Sequence, residues 1–342
     1  MKVAQLASVG LAVPPADVGA NELLLHLVTE GLARRGHQVT LFAAGDSRVS
    51  TSLEAIIPRS TRDTPGMTIY LEKEYEGRNA WNLYRRGDEF DVIHAHWPTL
   101  APYFTPWTST PTVITYGYIE PHLHAFYRAH FPRLHPVCVS RAQARMLGEE
   151  SLPVIYNGVD TSSIPFGAES EGFVIYAGRM VPNKGVAEAI EVARRAGERL
   201  LLVGQEDRYL PWSREYFERE VRLRVDGERV RWVPALPNAE LMKLFGRARA
   251  FLFPVQWEEP FGLTVVESMA AGAPVVTLRR GSMPELVRDG ETGFVLDRVE
   301  DMVEALRRAA DLDRRACRRR VEENFSAERM VEGYESFYRK LI

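Results

Sequence analysis

Short apolar runs alternate along this chain with stretches whose apolar residues recur every three or four positions. Residues 2–7, apolar apart from Lys2 and Gln5, form the first short apolar run. Residues 21–34 then place Leu23, Leu24, Leu27, Val28 and Leu32 on one face of a helix. Gly36 stops that helix and 38–43 supplies a second strand, which completes a βαβ unit. Further apolar runs follow at 92–95, 112–115 and 137–139. Strands that are apolar along their length, joined by helices, predict a parallel sheet covered on both faces.

The alternation breaks at 161–172, a polar stretch with Pro165 and two glycines and no periodicity, which reads as an interdomain linker. It then restarts. Strands are predicted at 173–177, 200–203, 230–233, 250–254 and 274–277, and helices at 185–196, 238–246, 263–271, near 300–312 and at 313–323. The fold class is therefore α/β, with two Rossmann-like parallel-sheet domains of similar size, 1–162 and 170–326. In such sheets ligands lie beyond the carboxyl ends of the strands, here expected in a deep cleft across which the domains face each other.

Composition narrows the class. The 342 residues carry 43 basic and 46 acidic side chains, a formal charge of −3. That balance argues against nucleic acid as a partner. Two cysteines, Cys138 and Cys317, allow neither a disulfide framework nor a zinc cluster. No run approaches the roughly twenty apolar residues of a membrane span, and the opening run is too short for a signal peptide, so a cytoplasmic protein is expected. Lysine occurs five times, at 2, 73, 184, 243 and 340, against 38 arginines.

Three loop-to-helix junctions carry candidate chemistry. After the strand at 173–177 comes Gly178-Arg179-Met180-Val181-Pro182-Asn183-Lys184-Gly185. A forked guanidinium, an ammonium and a helix start together suit a phosphate or pyrophosphate; two solvated cations would read the same way. In Glu259-Pro260-Phe261-Gly262-Leu263-Thr264-Val265-Val266-Glu267, two carboxylates flank a glycine that permits close backbone approach. Carboxylates accept bonds from vicinal hydroxyls, although Thr264 and Glu267 also fit a capping box. Gly19-Ala20-Asn21-Glu22 is the third junction, with Asn21 an ordinary cap in the simpler reading. His94 and His96 share one strand face without an evident third metal ligand, and hydrogen-bonded structural histidines are the alternative. Histidines 122, 124, 130 and 135 are too irregularly spaced for a metal cluster; an acceptor-binding loop is the other reading.

These segments together resemble the retaining GT-B glycosyltransferases of sequence family four (group 1 type). The segment 259–267 is similar to that family's paired-glutamate signature, and 178–185 to its Gly-Arg-x4-Lys-Gly phosphate grip. Arg34 to Thr40, Phe90 to His96, Asn157 to Asp160 and Pro284 to Phe294 match recurrent family strings in the family's order. The resemblance implies sugar transfer from a nucleoside-diphosphate sugar, of UDP or GDP type, to a small-molecule or oligosaccharide acceptor, with retention and without a metal or other cofactor. By likeness, Arg179, Lys184 and Glu259 would be catalytic, the two cations neutralising the diphosphate and Glu259 contacting the donor sugar. Gly178, Phe261, Gly262, Leu263 and Thr264 would line the donor site, with Glu267 on the ribose. Gly19 would let the first-domain loop approach the diphosphate, and the base would lie near Leu236. A C-terminal helix, about 327–341, would pack on the first domain through Phe325, Met330, Tyr334, Phe337 and Tyr338.

Two positions depart from the family pattern. Tyr116 stands where a histidine usually meets the donor sugar, and with His96 it is the candidate for contacting donor sugar or acceptor. Ala20 replaces the second glycine of the first-domain loop. These changes motivate an alternative, a catalytically silent nucleotide-sugar-binding protein or regulatory partner of an active transferase. A nucleotide-sugar epimerase would need a different set of acids and bases around the sugar, and no matching set is present.

Overall fold

The computed structural model describes residues 1–16, 19–62, 64–96, 100–207 and 210–342. The chain divides into two units, Met1–Gly158 with Ala327–Ile342, and Val159–Ser326.

The first unit is built on six parallel strands: β1 (Lys2–Leu6), β2 (Gln38–Phe42), β3 (Ser52–Glu54), β4 (Val92–Ala95), β5 (Thr112–Tyr116) and β6 (Leu134–Cys138). Their order is β3-β2-β1-β4-β5-β6. The register sets Val3 beside Val39 and Val92, and Ala4 beside Thr40 and Ile93. Because side chains alternate across a strand, Val3, Val92, Val113 and Val137 face one layer while Ala4, Ile93, Ile114 and Cys138 face the other. Both layers are buried, which is why the strands read as continuous apolar runs. The short edge strand β3 and the helix Ile69–Tyr84, capped by Thr68 accepting from the Leu71 N–H at 3.2 Å, carried no clear periodic signal.

On the valine face lie the helices Ala20–Arg34 and Ala327–Tyr338. They approach so closely at Gly31 that a Cβ there would sit 2.4 Å from a Val331 methyl. Met330, Tyr334 and Tyr338 of the C-terminal helix are buried and Phe337 is half-buried against the same cluster. Phe325, expected on that apolar face, instead belongs to the second unit, where its ring meets Phe261 edge-on at 6.2 Å.

The second unit repeats the plan with β7 (Val174–Ala177), β8 (Leu200–Val203), β9 (Val230–Val233), β10 (Ala250–Phe253), β11 (Val275–Leu278) and β12 (Gly293–Leu296), ordered β12-β11-β10-β7-β8-β9. The segment 161–172 is not a free linker. Arg314 donates to the Gly167 carbonyl at 2.7 Å, Arg318 to that of Ile164 at 3.0 Å, and the Gly167 N–H reaches the Ala271 carbonyl at 3.0 Å. Arginines on the helix Arg314–Asn324 thus satisfy a polar stretch that has no periodicity of its own. In each sheet the strand order reverses beside the first strand, between β1 and β4 and between β7 and β10. Loops leaving the carboxyl ends of these strands splay apart there and leave room for a ligand.

Candidate functional site

At the switch point of the second unit the loop after β7 meets the segment after β10. The Gly178 N–H bonds the Val203 carbonyl at 3.0 Å, tying the loop's start to β8. A short turn, Pro182–Lys184, ends at Gly185 with φ 77°, and a Cβ there would lie 1.9 Å from the Pro254 carbonyl oxygen. Only glycine allows that approach. The Gln256 N–H adds a 2.9 Å bond to the Asn183 carbonyl. These contacts bring Lys184 Nζ to 2.5 Å from Glu259 Oε2, both side chains nearly buried. Trp257 donates its indole N–H to the same oxygen at 2.8 Å. The ammonium also lies 5.1 Å from the Trp257 ring centroid and 5.8 Å from that of Phe253.

The loop 259–262 is pinned from β11's side. Ser282 gives its N–H to the Glu259 carbonyl at 3.0 Å and its hydroxyl to that of Phe261 at 2.5 Å; the Gly281 N–H bonds Glu258 at 2.6 Å. Gly262, at φ 87°, caps the helix Leu263–Ala270, whose first N–H groups have no intrahelical acceptor. Phe261 is buried; Leu263 and Thr264 are half-buried. The helix therefore starts two residues before a Thr264 capping box would place it. Glu267 instead accepts from Asn238 at 3.0 Å, and burial pushes its carboxyl up to about 7. This disposes of the capping alternative for Glu267.

Arg179 pairs with Asp207 at 2.5 Å, beyond the end of β8, and is half exposed. Leu236 lines a cavity of about 380 Å³ with Phe173, Leu201, Arg231, Val233 and Leu244. Two residues on, Asn238 is the one that holds Glu267. Asp207, Trp257 and Ser282 are lone polar or aromatic residues in loops, and Asn238 opens the helix Asn238–Arg247; only Trp257, next to the paired glutamates, stood where attention would fall.

In the first unit His96 follows β4 and donates or accepts at Gln5, 2.7 Å away. His94 is bonded to Thr115 at 2.7 Å and to the Tyr338 hydroxyl at 2.6 Å, and Thr115 in turn meets the Tyr334 hydroxyl at 2.8 Å. The two imidazoles lie 3.8 Å apart. Burial lowers both, His96 to about 3. They are neutral structural histidines of the hydrogen-bonded kind. His96 also borders a cavity of about 20 Å³, shared with Asn21, Thr115, Gly117, Asn157 and Tyr334, which has room for about one water.

Tyr116 does not join it. Its side chain is fully buried in the opposite layer, its hydroxyl 3.3 Å from His124, which pairs with Glu149 at 3.0 Å. Strand alternation turns Tyr116 away from the face that Thr115 shares with His94. Gly19 likewise serves its own loop, since a Cβ there would lie 2.8 Å from Glu22 Oε2 and from Leu11. Ala20 opens the first helix with its side chain exposed.

Two family descriptions fit the chain end to end. Residues 21–163 match Glycosyltransferase Family 4, and residues 162–325 match Glycosyl transferases group 1. The chain belongs to the group 1, family 4-type glycosyltransferases. As a member of that family it has the GT-B fold, and its likeness to solved structures agrees. AviGT4, a glycosyltransferase of avilamycin A biosynthesis, matches with a TM-score of 0.75 at 23% identity, over 99% of this chain and 97% of that one. HepE of Anabaena, in complex with UDP and glucose, matches with 0.72 at 19%, over 98% and 99%. In sequence, a glycogen synthase of Mycobacterium tuberculosis is 34% identical over 155 residues, 43% of this chain. That stretch spans 36% of the synthase's length, so the likeness covers about a third of it. The phosphatidyl-myo-inositol mannosyltransferase of Mycobacterium leprae is 25% identical over 315 residues, 82% of this chain and 80% of its own. Among the described residues no helix of this glycosyltransferase-family chain is long and apolar enough to cross a membrane.

Proposed function

We propose that the chain transfers a sugar from a nucleoside-diphosphate sugar to an acceptor hydroxyl, with retention at the anomeric carbon and without a metal. The observation that carries this reading is Lys184 against Glu259 at the switch point of the second unit, beside the start of the helix Leu263–Ala270, which no side chain caps. Charge that develops on a departing diphosphate needs fixed positive partners in a site closed to water. Lys184 and Arg179 supply cations, and the backbone of Gly262–Thr264 supplies N–H groups and a helix dipole. Glu259 is the group for the sugar hydroxyls and Glu267 for the ribose, since a carboxylate accepts from two neighbouring hydroxyls. A UDP or GDP sugar fits this set, and the acceptor is a small molecule or glycan. Cations of the chain take the role a divalent ion would otherwise fill. Among the described residues, no three of His, Cys, Asp and Glu are grouped as metal ligands would be. The HepE complex with UDP and glucose supports the choice of donor class by likeness.

The test is titration calorimetry with UDP, GDP, UDP-glucose, UDP-galactose and GDP-mannose in the presence of EDTA. Binding of one nucleotide family is expected, weakened about a hundredfold by Lys184→Ala and by Arg179→Ala, each a lost charge-assisted bond. Binding unaffected by both substitutions, or absent from the folded protein, overturns the proposal.

A further inference from the structure

We propose that Trp257 is a positioning residue for Glu259, holding its carboxylate in place when Lys184 turns from Glu259 to a bound diphosphate. The inference rests on the donor-site reading above. As the site stands, one oxygen, Glu259 Oε2, takes both the Lys184 ammonium at 2.5 Å and the Trp257 indole N–H at 2.8 Å. Among the described residues Glu259 is the lysine's one acidic partner, and the ammonium also lies near the faces of Trp257 and Phe253. A diphosphate carries more negative charge than a single carboxylate and competes for that ammonium.

Once the lysine leaves, Glu259 is a carboxylate only 8% exposed and stripped of its cation. A buried charge without a partner is costly, and it turns toward any donor available. Among the described residues, Trp257 is the only other side chain that donates to Glu259. The Gln256 N–H on Asn183 and the Pro254 carbonyl packed against Gly185 hold the 254–257 segment on the loop that carries Lys184. The backbone that carries the indole is thus fixed, and the indole does not follow the lysine side chain. Glu259 then keeps its aim, free on its second oxygen for a sugar hydroxyl. The ion pair with Glu259 holds Lys184 in place without exposing it.

Trp257→Phe keeps the ring face and removes the N–H. Its binding of UDP, GDP, UDP-glucose, UDP-galactose and GDP-mannose is compared by calorimetry with that of the unaltered protein. The bare nucleotide is expected to bind within about twofold of the unaltered protein, while the gain in affinity from the attached sugar falls about tenfold. Trp257→His, which retains a ring N–H, is expected to restore part of that gain and serves in place of the phenylalanine variant if the latter does not fold. In a Glu259→Gln background, Trp257→Phe is expected to cause little further loss. Nucleotide binding intact with an undiminished sugar gain in Trp257→Phe overturns the positioning role alone. So does a Trp257→His variant no better than Trp257→Phe, or a loss in the Glu259→Gln background equal to that in the unaltered one. Equal loss of nucleotide and nucleotide sugar points to a merely structural tryptophan and also overturns it. If the unaltered, folded protein binds no nucleotide, the donor-site reading falls and this inference with it.

Discussion

Glu267 sits where burial and function pull in opposite directions. Its carboxyl is pushed up to about 7 by desolvation, with Asn238 as its partner. A raised acid favours the protonated form in the folded state. Its contribution to stability is therefore fully present below the ordinary glutamate value and is lost as pH rises through about 7. Recognition of ribose hydroxyls needs the ionised form and gains over the same interval. Nucleotide affinity is expected to rise about tenfold between pH 6 and pH 8, and Glu267→Gln should flatten that rise. Calorimetry at three pH values checks it; a flat profile in the unaltered protein would remove Glu267 from the ribose. The residue types at this site were legible in the sequence, as were their loops. Their pairings were not, because Lys184 and Glu259 lie 75 residues apart and meet only through the β7–β10 switch point. Tyr116 shows a second limit. Its place at the end of β5 suggested a ligand contact, yet the alternation of strand faces turns its side chain into the layer opposite Thr115.

At the scale of elements, the helix Ala327–Tyr338 depends on the neutral histidines beneath it. Tyr338 is bonded to His94, and Tyr334 to Thr115, which itself bonds His94. Both imidazoles are lowered, so the unfolded chain binds protons that the folded one refuses. Their contribution is full above the unfolded value of about 6.5 and is lost as pH falls through the lowered folded values, about 3 for His96. Denaturant melts of the first unit between pH 7 and pH 4 are expected to show that loss, and His96→Gln should reduce it by about half. The contact of this helix with Ala20–Arg34 is equally specific. Gly31→Ala sets a methyl against Val331 and is expected to destabilise by about 1–3 kcal/mol, with a partial return in Gly31→Ala/Val331→Ala. Periodicity predicted the helix Ala20–Arg34 and the apolar strands of the first unit, while the C-terminal helix was expected by family likeness. It missed β3, three residues long at a sheet edge, and the packing of 161–172, whose order comes from arginines about 150 residues later.

For the whole molecule, the two units are not symmetric in connectivity. The second is a continuous stretch, Val159–Ser326, with its own six-stranded sheet and the complete donor set proposed here. Expressed alone, it is expected to fold cooperatively and to retain nucleotide binding within about tenfold of the full chain. Circular dichroism melts and calorimetry on that fragment decide the matter, and an unfolded fragment would mean the unit leans on the first. The first unit has no such independence, because Ala327–Tyr338 completes its valine face. That interruption has a consequence for biosynthesis. A ribosome making this protein releases all six strands of the histidine-bearing sheet long before the helix that seals it. Throughout synthesis of the second unit, His94 and the valines around it remain open to water, to chaperones and to other nascent chains. The moment of greatest vulnerability for this protein is thus set by the order in which its pieces are translated.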